Sequence, residues 1–318
     1  MKNNQKNSIK HALHFLKQYK KKYGFSKFVR VGFHYVFILI KKMFPEASDK
    51  IIKVNGYEMK TIPNDSGISQ ELKTFKIHEP ISTKLISNYL KKDMICLDIG
   101  ANIGYFALLE RKIVGDMGKV IAIEPVPNNF RYLQENIRLQ NLENILTYNF
   151  AVGDIEGSTR FFVNERSNGS KILLENEDLP NRPGYVMNVP IKKIDDFLLE
   201  IKLKKIDFVR MDVEGYELNI FHGMEKTIQN SNPIIQLEVH KGRMGEDRMR
   251  KFFEFFLKYG YHCALYHERD LDLRFIGKMT DVKEFSIKEL LMMLENKLLP
   301  NYFNLLLKPT KWGKNDTT

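Results

Sequence analysis

The sequence predicts an α/β protein, a seven-stranded sheet with helices on both faces, preceded by a basic helical extension. Three observations carry this. From Met94 onward, short apolar runs alternate with segments of helical periodicity, the rhythm of a parallel sheet. A glycine-rich turn follows the first of these runs. Charge is uneven: residues 1–50 hold twelve Lys/Arg against Glu46 and Asp49, while the whole 318-residue chain has a formal net charge of +11. A nearly neutral body argues against a nucleic-acid footprint spread over the fold. Only Cys96 and Cys263 are present, which excludes a disulfide scaffold and fits a reducing, cytoplasmic location. No uncharged apolar run reaches the roughly 18 residues of a membrane-spanning helix.

In residues 1–50, Ile9, Ala12, Leu13, Leu16, Tyr19 and Tyr23 recur at helical spacing, with Lys6, Lys10, Lys17, Lys20 and Lys21 filling much of the other face. A second apolar set includes Phe33, Val36, Phe37 and Ile40. The uncharged stretch Val31–Ile40 is too short to span a bilayer, and Lys41 and Lys42 stand where a signal peptide would need small residues. Residues 1–45 therefore suit peripheral contact with an anionic membrane. Packing on the body is the alternative, and RNA contact a third.

Residues 51–92 lead into the core: a hairpin, Ile51–Met59, around Asn55-Gly56, then a helix, Ser82–Leu90. The core, 93–309, starts with strand Met94–Ile99 and helix Tyr105–Val114. Strand Lys119–Ile123, helix Pro127–Gln140 and strand Ile145–Phe150 follow. An insertion at 154–205 interrupts the alternation with strands Thr159–Val163 and Val189–Ile194 around a polar, turn-rich stretch. The rhythm resumes with strand Ile206–Met211, helix Tyr216–Ile228, strand Ile234–Val239 and helix Arg248–Lys258. Strand Tyr261–Tyr266, helix Ile287–Asn296 and strand Tyr302–Leu307 close the core, and 310–318 form a tail.

The turn Leu97-Asp98-Ile99-Gly100-Ala101-Asn102-Ile103-Gly104 lies where open α/β sheets bind ligands, beyond the carboxyl end of a strand. Its spacing is not that of a dinucleotide-binding turn, and Asp98 would repel a phosphate but favour a cationic ligand. Glu124 ends the second strand, at the distance expected of a carboxylate that takes ribose hydroxyls.

Cys96–Tyr105, Ile123-Glu124-Pro125 and Met211-Asp212-Val213-Glu214-Gly215-Tyr216-Glu217 together resemble the FkbM-type S-adenosylmethionine-dependent methyltransferases. Val189–Phe197 and His78-Glu79-Pro80 are similar to that family too, and the resemblance covers roughly residues 75–240. It implies a class I methyltransferase, or Rossmann-like, sheet with S-adenosyl-L-methionine as cofactor. Asp98, Gly100, Ala101 and Asn102 would lie near its amino-acid part, Gly104 would shape the turn, and Glu124 with Pro125 would meet the ribose. Ala151 and Val152 would lie against adenine, or belong to the core.

Asp212 and Glu214 follow the fourth strand at the same sheet edge, with Asp212 the candidate for handling the nucleophile or orienting the cofactor's methyl end. Glu214 would bond a sugar hydroxyl or brace the loop, and Glu217 reads as a helix cap. His240 is a candidate general base or a structural histidine, and Glu238 shares its side of the strand. Asp212, Glu238 and His240 could also ligate a metal, but no spacing is diagnostic and no metal is assigned. The Asn/Asp-Pro-Pro-Tyr/Phe motif of nucleobase amino methylation is absent, which lowers the nucleic-acid reading. The expectation is O-methylation of a hydroxyl on a glycan, glycolipid or related small polyhydroxylated acceptor. A methyltransferase of RNA or protein recruited by the lysine-rich arm, and a non-catalytic cofactor-binding scaffold, are the alternatives.

Overall fold

The computed structural model describes Gly24, Phe25, Val29 and residues 48–174, 177–269 and 278–310. The amphipathic helices expected within residues 1–47 lie outside the described residues. No helix among the described residues is long and apolar enough to cross a membrane.

β1 (Lys50–Val54) and β2 (Tyr57–Thr61) pair antiparallel around Asn55 and Gly56. Both turn residues have positive φ, 54° and 90°, which matches the right-handed twist of the flanking strands. Helices α1 (Ile68–Phe75) and α2 (Pro80–Tyr89) lead to β3 (Ile95–Ile99) and α3 (Tyr105–Val114). Then come β4 (Lys119–Ile123), α4 (Pro127–Arg138) and β5 (Ile145–Tyr148). β6 (Ala151–Val152) leads into the insertion, which supplies β7 (Gly157–Asn164), β8 (Lys171–Ile172) and β9 (Gly184–Lys192). Next are α5 (Ile194–Glu200), β10 (Phe208–Met211), α6 (Glu217–His222), α7 (Glu225–Ser231) and β11 (Ile234–Val239). The chain continues with α8 (Lys241–Met244), α9 (Glu246–Lys258), β12 (Tyr261–Glu268), β13 (Lys283–Ser286), α10 (Ile287–Glu295) and β14 (Phe303–Pro309).

The main sheet has the order β13-β12-β14-β11-β10-β3-β4-β5. Its strands from β11 to β5 are parallel, and β14 enters antiparallel beside β11. All seven expected strands are there, but the sheet has eight. The extra one, β13, reads Lys-Glu-Phe-Ser; charge on a short edge strand discourages further pairing and hides it from a hydrophobicity pattern. The insertion forms a separate sheet, β6-β9-β7-β8. Helix Tyr216–Ile228 is two helices, α6 and α7, broken at Gly223. A Cβ there would sit 1.9 Å from the Gly153 carbonyl oxygen, so glycine lets the chain pass the loop after β6.

Strand alternation sorts the sheet residues into two cores. Leu97, Ile99, Val209, Met211, Ile235 and Leu237 face Phe221 of α6 and Phe252, Phe253 and Phe256 of α9. Cys96, Val120, Ala122, Phe208 and Ile234 face Leu85 and Ile86 of α2 and Leu108 of α3. The second face also carries charge: Asp98 and Arg210 are cross-strand neighbours, both buried. The order of strands reverses between β3 and β10. After β3 the chain adds β4 and β5 on one side, then returns to lay β10 and β11 on the other. That reversal opens a crevice at the strands' carboxyl ends, where ligands of such sheets bind.

Candidate active site

Gly100 and Asp212 meet in that crevice. Gly100 has φ 83°, and a Cβ on it would stand 2.3 Å from the Asp212 carbonyl oxygen. Only glycine combines this conformation with this contact. Gly100 and Ala101 donate their N–H groups to the Ile123 carbonyl at 2.9 and 3.0 Å, which folds the turn across β4. Gly104, φ 93°, starts α3 and packs on Leu133 of α4, away from the cavity.

Glu124 points into the turn. Its carboxylate accepts from the N–H of Asn102 at 2.8 Å and of Val126 at 2.9 Å. Burial pushes its pKa up to about 7, against these hydrogen bonds. Ala101, Asn102, Glu124, Pro125, Ala151 and Val152 all line one cavity with Gly100, Asp212 and Glu214. The insertion closes this cavity from the other side. The Ser167 carbonyl accepts from Asn102 Nδ2 at 2.5 Å and Asn129 Nδ2 at 2.9 Å. Ser167 in turn donates its N–H (2.9 Å) and hydroxyl (2.6 Å) to Asp65, ahead of α1.

Asp98 is not at the cavity wall. Its carboxylate is fully buried behind the turn, 3.4 Å from Arg210 Nη1. Sequence reading missed Arg210, although an arginine inside the apolar run Phe208–Met211 is itself a signal. Arg210 donates to the Gly100 carbonyl at 3.0 Å, reaches Asp212 Oδ2 at 3.4 Å and stacks on Phe106 at 4.3 Å. One cation thus holds the acids of β3 and β10 together with the turn between them. Buried His78 pairs with Glu71 at 2.6 Å and Glu79 at 3.5 Å, and both His78 and Glu79 line the cavity. Despite burial, Glu79 and Glu71 hold the His78 imidazolium up to about 9.

Asp212 faces the cavity with 24% of its side chain exposed and Oδ1 without a hydrogen-bond partner. Burial, and then the neighbouring Glu238, raise its pKa to about 7. Glu214, φ 61°, is held down to about 2 against burial by His240 and Arg243. His240 lies behind these two acids and does not line the cavity. It is fully buried, with Nδ1 2.8 Å from Glu217 and Nε2 2.8 Å from Glu238 and 3.1 Å from Glu214. Against the pull of burial, Glu238 and Glu214 hold its pKa well above the usual histidine value. It is an imidazolium hydrogen-bonded to Glu217 through Nδ1 and ion-paired with Glu238 and Glu214 at Nε2, a poor proton acceptor. Glu217 also accepts from the Gly215 N–H at 3.1 Å, so the expected cap is at once the histidine's anchor. Donor atoms of Asp212, Glu238 and His240 come within 4.8 Å of one another, a set able to hold a divalent cation, while Arg269 Nε stands 2.5 Å from the same Glu238 carboxylate.

The profile of the methyltransferase FkbM domain matches residues 98–263, just over half of the chain, including the glycine turn, Glu124 and Asp212. The chain belongs to the FkbM methyltransferase family. This FkbM-family protein is a methyltransferase whose methyl donor is S-adenosylmethionine. It is 26% identical over 168 residues to "Methyltransferase 1" of Beauveria bassiana, a match covering 47% of this chain and 67% of that one. It is also 26% identical over 161 residues to hexuronic acid methyltransferase AglP of Haloferax volcanii, covering 50% of this chain and 61% of AglP. Among solved structures, methyltransferase FkbM from Methylobacillus flagellatus aligns at 18% identity and TM-score 0.45, over 66% of this chain and 48% of that one.

Proposed function

We propose that the chain transfers the methyl group of S-adenosylmethionine to a hydroxyl of a glycan, glycolipid or related polyhydroxylated acceptor, with Asp212 as general base. The observation that carries this is the Asp212 carboxylate: open to the cavity, against the glycine turn, with a pKa near neutrality. A base poised there takes a hydroxyl proton without being permanently protonated.

The lining fits the cofactor. Glu124 offers a carboxylate to ribose hydroxyls, Ala151 and Val152 an apolar wall to adenine, and Glu79 negative charge to a sulfonium or ammonium. When bound, S-adenosylmethionine would supply an already activated methyl group on sulfur, with S-adenosylhomocysteine as the leaving group. The chain's own contribution is alignment, exclusion of water and removal of one proton. Arg210 fixes Asp212 relative to the turn. The buried His240 imidazolium, bound to Glu238, tempers the negative charge behind Asp212.

A glycan acceptor is supported by the name of AglP and by the polar insertion beside the cavity, with Asn168, Gly169 and Ser170 on its wall. Residues 1–45 would bring the site to a lipid-linked acceptor at an anionic membrane, a reading that rests on their charge and apolar spacing alone. A product-mass screen of glycan, lipid and RNA acceptors with labelled cofactor tests the proposal. A methylated sugar made by wild type and lost in Asp212→Asn supports it; methylation confined to RNA or protein overturns it.

A further inference from the structure

Beyond Glu214 the insertion brings a second arginine toward the same opening. Arg182 lies between β8 and β9, with its guanidinium over the Phe162 ring at 5.4 Å and donating from Nη2 to the Gly169 carbonyl. A Cβ on Gly169 would lie 3.1 Å from Arg182 Nη1 and 3.6 Å from Glu214 Oε1, so the three groups share one small volume beside the cavity. Arg182 is half-buried and its Nε is turned inward without a hydrogen-bond partner.

Arg182 has no ion-pair partner among the described residues, whereas ion pairs form at Arg111, Arg131, Arg210, Arg243, Arg250 and Arg269. The nearest acid, Glu214, is already engaged by Arg243 and by His240 at 3.1 Å. Burial and the repulsion of Arg243 both push the Arg182 pKa down. Removing a guanidinium from water without a carboxylate is unfavourable, and a second cation beside it makes it more so. The same fork geometry would bind a planar or tetrahedral oxyanion through two parallel N–H donors. Tyr302 also faces Arg182 electrostatically; it is 38% exposed, and its ring meets His240 at 5.5 Å. This partly exposed ring, already flanked by the Arg269 guanidinium at 5.6 Å, suits the edge of a sugar ring.

We propose that Arg182, with Arg243 and Tyr302, forms a subsite for an anionic group on the acceptor sugar, a carboxylate or a phosphate, next to the hydroxyl handled by Asp212. The inference rests on the glycan-methylation reading and narrows it to acidic sugars. Selection comes from a half-buried cation that stays unmatched with a neutral sugar and is matched with an acidic one.

The test uses the full chain saturated with S-adenosylhomocysteine. Methyl β-glucuronide, glucose 6-phosphate and methyl β-glucoside are titrated by calorimetry. The expected result is binding of one acidic probe about tenfold or more tighter than the neutral one; which acidic probe wins tells carboxylate from phosphate. Arg182→Gln removes the preference, Arg182→Lys keeps part of it, and neither changes S-adenosylhomocysteine affinity or lowers the melting midpoint. Equal binding of acidic and neutral probes, no binding of either acidic probe, or a preference untouched in Arg182→Gln overturns the subsite. Weaker S-adenosylhomocysteine binding in Arg182→Gln also overturns it, because the arginine then reads the cofactor. Product mass on the same probes separates the two ideas. A methylated neutral sugar without Arg182 dependence sinks the subsite alone. Arg182-dependent binding of an acidic sugar that is never methylated sinks the glycan reading and leaves the subsite.

Discussion

Asp212→Asn removes a charge while keeping the shape of the side chain, and its consequences can be worked from the structure. In the folded chain the carboxyl titrates at about 7 rather than its ordinary 3.8, through burial and the proximity of Glu238. A folded pKa above the unfolded one means that the folded state holds the extra proton. The associated stabilisation is complete below pH 3.8 and is lost as pH rises through about 7. Its full size corresponds to about 4 kcal/mol. Since 24% of the side chain is open to the cavity, about 1–3 kcal/mol is the working figure. The asparagine does not titrate and can donate toward Glu238. The unliganded variant should therefore melt above wild type at pH 8.5, by about 2–5 °C, with the gap closing toward pH 5. Turnover on the acceptor found by the mass screen should fall about 10²–10⁴-fold, with cofactor affinity little changed. Thermal melts across pH, run with cofactor titrations, check this. A variant that melts below wild type at pH 8.5, or that keeps its turnover, would show that Asp212 is a brace and not the base.

Glu124→Ala should weaken S-adenosylhomocysteine binding by about 1.5–3 kcal/mol, since ribose hydroxyls and the Asn102 N–H lose their acceptor together; unchanged affinity by calorimetry removes the ribose assignment. Gly100→Ala combines a positive φ with a 2.3 Å contact and should cost about 2 kcal/mol or more in a urea melt, together with cofactor binding. A normal denaturation midpoint would mean that the turn relaxes freely. His240→Ala strips Glu217 and Glu238 of their buried cation and should destabilise the fold by about 3–5 kcal/mol, so its loss of activity is structural first. A variant with wild-type melting and lost turnover restores His240 as a candidate base. Full-length protein should float with anionic liposomes at low salt and be released by high salt, whereas a chain without residues 1–45 should stay behind; full-length protein that never floats ends the membrane reading.

The parallel core and the cofactor crevice were legible because they obey local rules. Met94–Ile99 is an apolar run followed by glycines that a positive φ demands, and Glu124 closes the next strand, so strand, turn and acid can be read in order. The electrostatics were not legible, because they join residues far apart in the chain. Asp98 looked like a ligand contact and turned out to be an internal partner of Arg210, 112 positions away. His240 looked like a base until Glu214 and Glu217, more than twenty residues earlier in the chain, closed around it together with its neighbour Glu238. Arg182 reads as an ordinary loop residue until the fold sets it beside Arg243. The edge strand Lys283–Ser286 was hidden because an exposed edge is kept polar to stay unpaired.

The hydrogen bonds converging on Ser167 have a kinetic meaning. Asn102 and Asn129 on one side and Asp65 on the other tie the insertion across the face through which a nucleoside would pass. Opening that crossing requires several hydrogen bonds to break in concert. Should product leave by this face, its residence time would cap the turnover rate, whatever the speed of the chemistry. Asp65, which does not line the cavity, would then act as a throttle on the cycle. Loosening it by Asp65→Ala would shorten product residence and weaken hold on the donor by the same motion, so throughput and retention cannot be improved together at this position.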